Sequence, residues 1–78
     1  MNLYRISQNV ADGWDTYDSA IVAAKSPEDA ASIHPSTVDP WPQYGDWVST
    51  PEQVTVELIG VAVNGTSRGV VLASFNAG

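Results

Sequence analysis

The chain has 78 residues, enough for one domain, and sets nine acidic residues against three basic ones (Arg5, Lys25 and Arg68) for a net charge of -6. That balance excludes sequence-independent binding to nucleic acid, which needs several Lys or Arg contacts to phosphates, and it disfavours anionic membranes; solubility and contact with a basic protein surface remain open. A domain this short buries only about 60% of the surface its unfolded chain exposes, and with no cysteine neither a disulfide nor a thiolate-bound metal adds to the core, which leaves self-association as a further source of burial.

The first predicted element is a strand over Leu3 to Ser7, with Tyr4 and Ile6 on one face and Leu3 and Arg5 on the other. A polar connection around Asp12-Gly13 leads to a second strand from Tyr17 to Ala24, and the pair reads as a long hairpin. Ser26-Pro27-Glu28-Asp29 is a helix start: a serine that can cap a free amide, a proline whose missing N–H costs nothing, and two carboxylates at the positive end of the dipole. The helix is predicted from about Pro27 to Ile33. Pro35 stops it, and Ala30, Ile33 and His34 form one face to lay on a sheet.

Residues 36–48 read as a Pro/Trp-rich loop of a length that is often functional. Thr50-Pro51-Glu52-Gln53 repeats the helix-start signature. Val54, Val56 and Leu58 alternate at once behind it, so the sequence predicts at most one helical turn and then a strand over 54–63. Asn64-Gly65 is the strongest turn signal and predicts a tight hairpin into a last strand at 68–75. There Val71, Ala73 and Phe75 share one face, with Val70 and Leu72 on the other. The order β-β-α-β-β defines a single α+β domain over 1–78: a four-stranded antiparallel sheet with one short helix packed on one face.

No motif carries catalysis, and the sequence predicts neither an enzyme nor a bound cofactor. Asp12, Asp15 and Asp18 recur every third residue, whereas a calcium loop needs alternating oxygens and a later bidentate Glu; no metal ligands are assigned. His34 is the single histidine and no serine sits in a nucleophile elbow beside it. No glycine-rich phosphate loop is present. The aromatic residues offer more. Trp14 lies in the acidic hairpin with Asp12, Asp15 and Asp18, a candidate protein-binding patch. Trp41, Tyr44 and Trp47, with Arg5 or Arg68 as positive charge, are candidate ligand-binding residues for a flat, nucleotide-sized molecule; the alternative is that these rings cap a small core. No apolar stretch reaches the roughly 20 residues of a membrane span, and Met1 to Arg5 lacks a secretory pattern, which predicts a cytoplasmic protein.

The segments Leu3-Tyr4-Arg5-Ile6-Ser7-Gln8, Tyr17-Asp18-Ser19-Ala20 and Ser74-Phe75-Asn76-Ala77-Gly78 resemble a group of small proteins encoded in bacterial genomes, phages and prophages. The likeness spans almost the whole chain and carries over no residue roles. It implies a mobile-element context inside a bacterial host cell, where small acidic proteins without enzyme motifs often act by binding. Two mechanisms then fit: occlusion of a host defence complex through a protein surface, in the manner of anti-CRISPR proteins, with the hairpin aspartates mimicking phosphates; or sequestration of a nucleotide immune signal by a homo-oligomer. A bacterial accessory role unrelated to defence is the third reading.

Overall fold

The computed structural model describes residues 1–8, 16–36, 47–48 and 50–76, and the side chains of these except Thr16, Phe75 and Asn76. Strands β1 (Asn2–Ser7) and β2 (Thr16–Ala24) form the expected antiparallel hairpin, in register from Asn2 opposite Ala24 to Ser7 opposite Ser19. The Gln8 side-chain amide donates to the Tyr17 carbonyl at 2.6 Å and ties the two strands where the connection between them begins and ends. The Asp12-Gly13 connection lies outside the described residues.

Helix α1 spans Pro27–Ala31 and starts as its sequence requires. Ser26 is extended, and its Oγ accepts the Asp29 N–H at 3.1 Å. The helix is shorter than the predicted stretch to Ile33. Its last amides close through 3-10-type bonds, Ser32 N–H to the Asp29 carbonyl and Ile33 N–H to the Ala30 carbonyl, each at 3.1 Å, and Pro35 then prevents continuation. Ala30, Ile33 and His34 are nonetheless all buried. A five-residue helix has no stability of its own; the sheet holds it.

Thr50 and Pro51–Gln53 form the single predicted turn, of 3-10 type, with the Gln53 side-chain Oε1 accepting from the Thr50 N–H at 3.3 Å. Strand β3 (Thr55–Val61) follows, and after residues 62–68 comes β4 (Gly69–Asn76). The sheet is four-stranded and antiparallel throughout, in the order β3-β1-β2-β4, with α1 against it: the α+β class read from the sequence.

One expectation is corrected. Asn64-Gly65 does not join a hairpin, because β3 and β4 occupy opposite edges of the sheet. The turn itself forms, with Thr66 N–H on the Val63 carbonyl at 3.2 Å and Gly65 at φ 92°. It bends a connection that crosses the end of the sheet, over the β1 start and the β2 end. Three strand spacings come to about 14 Å, well within the reach of seven residues. Turn chemistry decides only four residues. Which strand β4 pairs with is decided by what its side chains can bury.

Register shifts set the faces. On β2, Tyr17 pairs with Phe75 and Ser19 with Ser74, leaving Asp18 as an extra residue. This bulge sends Tyr17 to the helix side and Ser19 to the opposite side, although simple alternation puts both on one face. On β4, Leu72 pairs with Ile21 and Val70 with Val22, leaving Val71 extra. Val70 and Ala73 therefore both pack on the core, which replaces the alternation that groups Val71 with Ala73. A third shift, between Leu3 and Tyr4 on β1, lies opposite Leu58 and Gly60 of β3. The core comprises Tyr4, Ile6, Ala20, Val22 and Ala24 from the central strands, Ala30 and Ile33 from the helix segment, and Trp47 and Val48. Ile6 and Val22 are the largest side chains fully removed from solvent.

Candidate functional site

The helix covers one face of the sheet. The pairings place three rows of side chains across the other. The first runs Gly60, Leu3, Ala23, Gly69; the second runs Glu57, Arg5, Ile21, Leu72; the third runs Thr55, Ser7, Ser19, Ser74. The face thus grades from small and apolar, through one acid and one base, to four hydroxyl residues. Arg5 and Glu57 are register partners and both exposed, Leu72 is 68% exposed, and Leu3, Ile21, Ser7 and Ser19 are half-buried. Ala23 alone is fully buried. Among the described residues this face offers hydroxyls, the Glu57 carboxylate, the Asp18 carboxylate beside Ser74, one guanidinium and aliphatic groups on rigid strands.

The predicted site residues divide among several places. Arg5 stands on the open face. Arg68 lies elsewhere, on the crossing connection, where it grips α1: its guanidinium donates from Nε to both Asp29 carboxylate oxygens at 2.8 and 3.0 Å, and from Nη2 to Asp29 at 2.8 Å and to Ser32 Oγ at 3.0 Å. Asp29 also accepts the Lys25 backbone N–H at 3.1 Å. Partial burial of the Asp29 carboxylate opposes its ionisation, but the Lys25 amide, the Arg68 hydrogen bonds and the two nearby positive charges outweigh that, so its pKa sits below the ordinary 3.8. Arg68 is therefore engaged in holding the connection to the helix rather than held ready for a ligand.

Trp47 is 5% exposed and part of the core, so its ring faces are not open for stacking. Trp41 and Tyr44 lie outside the described residues, as do Asp12, Trp14 and Asp15 of the acidic hairpin. Asp18 is exposed at the β2 bulge, where Ser74 Oγ donates to its carboxylate at 3.4 Å.

His34 is 3% exposed. Its Nδ1 accepts the Ser36 backbone N–H at 3.1 Å and lies 2.7 Å from Ser36 Oγ. The distance resembles that of a nucleophile and its base, but the amide already occupies the lone pair that would take the hydroxyl proton. The ring is also wedged edge-on between Tyr17 and Trp47, at centroid distances of 6.3 and 6.4 Å. His34 closes the turn after the helix and fills the core. Among the described residues no group of three or more His, Asp or Glu is placed to hold a metal ion, and no helix is long and apolar enough to cross a membrane.

Sequence reading separates Leu3 and Arg5 from the core face, because alternation within one strand suffices for that. It misses Glu57, Ile21, Ser7, Ser19 and Ser74 as a single surface, because only the inter-strand register brings them side by side. Against known proteins, no family model, no curated protein and no solved structure matches this chain. What the fold defines is a class: a small α+β domain with a four-stranded antiparallel sheet and one short helix packed on one face.

Proposed function

We propose that this chain is a non-enzymatic binding protein, encoded by a phage or prophage, that inhibits a bacterial immune system by occupying a protein surface in the host cytoplasm. The observation that carries the binding reading is the sheet face opposite α1, with Arg5 and Glu57 side by side among Leu3, Ile21 and Leu72. Rigid strands fix these groups without the entropy cost of ordering a loop. The net charge of -6 steers such a face toward basic partners, among them the nucleic-acid grooves of defence complexes. The phage context comes from the resemblance of the strand and tail segments.

The alternative, an oligomeric binder of a nucleotide signal, has less support. Trp47 is in the core and Arg68 is bound to Asp29, which leaves Arg5, exposed on the sheet face opposite α1, as the described member of that set placed for a ligand. A bacterial accessory role outside defence uses the same face and differs only in its partner.

The test is phage plating on bacteria with an active CRISPR system, with and without expression of the chain, paired with capture of purified effector complexes on the tagged protein. The expected result is restored plating and a co-purifying complex, both lost in Glu57→Arg, which sets a positive charge against a basic partner, with an unchanged far-UV circular dichroism spectrum. Absence of both protection and capture overturns the proposal; retention of both in Glu57→Arg moves the interface off this face.

A further inference from the structure

We propose that β4 is a homodimerisation edge: two copies pair their β4 strands antiparallel about a two-fold axis and form one continuous eight-stranded sheet. The inference is independent of the immune-inhibitor reading. It starts from what the edge lacks. An edge strand presents unpaired N–H and C=O groups, and proteins guard such strands with charges, prolines or a covering element. Strand β4, Gly-Val-Val-Leu-Ala-Ser-Phe-Asn, is eight residues long with no charge and no proline. Val71 and Leu72 are 56% and 68% exposed, and Ser74 is exposed beside them. The bulge at Val71 guards only the start of the strand; the opposite extra residue, Asp18, belongs to β2 and leaves the β4 backbone from Leu72 to Asn76 regular.

Charge selects the occupant. A chain of net charge -6 repels its own copy, so two copies can meet only where acids are kept apart. Across a β4–β4 junction no charged side chains of the pairing strands face each other. Among the described residues the nearest acids are the two Asp18 of the flanking β2 strands, each leaning onto Ser74 of its own β4; the strands that carry them are three spacings apart, about 14 Å, against a Debye length of about 8 Å at physiological salt. The other edge fails this test. Strand β3 carries Glu57 at its middle, and antiparallel self-pairing there brings two copies of Glu57 within diagonal reach on one face. Antiparallel pairing of a strand with itself is also self-complementary, as a two-fold interface requires. The axis stands perpendicular to the sheet, so both helices lie on one side and the two faces opposite them merge on the other.

Analytical ultracentrifugation from micromolar concentrations to about 1 mM, the weak limit of specific association, reads the result directly. The wild-type chain is expected to show a concentration-dependent monomer–dimer equilibrium. Val71→Lys with Leu72→Lys should remain monomeric, even though two added lysines reduce the net charge from -6 to -4 and so weaken general repulsion. Val61→Lys on β3 should dimerise as wild type does. Because the chain has no cysteine, single Val71→Cys, Leu72→Cys, Ser74→Cys and Val61→Cys variants give a second, independent measure. Under mild oxidation at least one of the first three should cross-link faster than Val61→Cys, since a disulfide requires Cα atoms roughly 4.4–6.8 Å apart. A wild-type chain that stays monomeric throughout, a dimer abolished by Val61→Lys but not by the β4 lysines, or preferential cross-linking through Val61→Cys overturns the proposal.

Discussion

The most informative residue pair is Asp29 with Arg68. Thirty-nine positions apart, they close the contact between α1 and the connection that crosses the sheet end. Asp29 has three roles at once. It sits in the first turn of the helix, where its backbone N–H is capped by Ser26; its carboxylate receives the Lys25 amide; and it takes the Arg68 guanidinium in a two-pronged bond. The side chains are 25% and 45% exposed, so solvent screening limits what the pair contributes, and Arg68→Ala is expected to cost about 1 kcal/mol. The pH dependence has a definite sign. The folded-state pKa of Asp29 lies below its ordinary 3.8, so the contribution is complete above that value and is lost as pH falls through the lowered one. Urea denaturation of wild type and Asp29→Asn should therefore show a stability gap at pH 7 that narrows in acid. A gap that stays constant as the pH is taken through and well below 3.8 shows that the carboxylate charge is not the cause.

At the scale of elements, local signals decide conformation and fail to decide pairing. Ser26-Pro27 starts a helix and Thr50-Pro51 a single turn because cap, proline and acid act within four residues. Asn64-Gly65 likewise turns the chain, and Gly65 holds φ 92°. The space around Gly65 is open, with nothing within 4 Å of an added Cβ, so substitution there meets backbone strain and no clash. Gly65→Ala should cost about 1 kcal/mol, and Gly65→Asn clearly less, since asparagine tolerates this region. Thermal melts of the two variants make the comparison; equal losses show that the turn does not require the left-handed conformation. The bulges at Asp18 and Val71 act at this same scale. Each adds one residue to a strand and reverses every side chain beyond it, which puts Tyr17, Val70 and Ala73 together on the core.

For the whole molecule, charge and face separate two kinds of association. Contact with a basic partner is drawn by the net charge of -6, and salt weakens it. Pairing of two β4 edges works against that charge, and salt relieves it. Raising ionic strength from about 0.05 to 0.5 M, across which the Debye length shortens to a few ångströms, should loosen capture of a basic partner and leave self-association unchanged or tighter. Titrations at the two salt levels check this, and a dimer that salt dissociates contradicts the uncharged edge. A β4-paired dimer also joins the two faces opposite α1, so one assembly presents Arg5 and Glu57 twice across an eight-stranded surface.

By itself the sequence determined the elements and the class. Alternation placed Tyr4 and Ile6 inward and Arg5 outward, Ser26-Pro27 set the helix start, Pro35 limited its end, and the run of two strands, a helix and two strands gave an antiparallel sheet with a helix on one face. These are properties of a few neighbouring residues, and neighbouring residues are what a sequence displays. The tertiary structure alone decided that β3 and β4 part to opposite edges, that Trp47 enters the core, that Arg68 binds Asp29, and that Thr55, Ser7, Ser19 and Ser74 line up across four strands. Each of these depends on register between segments far apart in the chain, where the burial of one shared face outweighs the preference of any single turn.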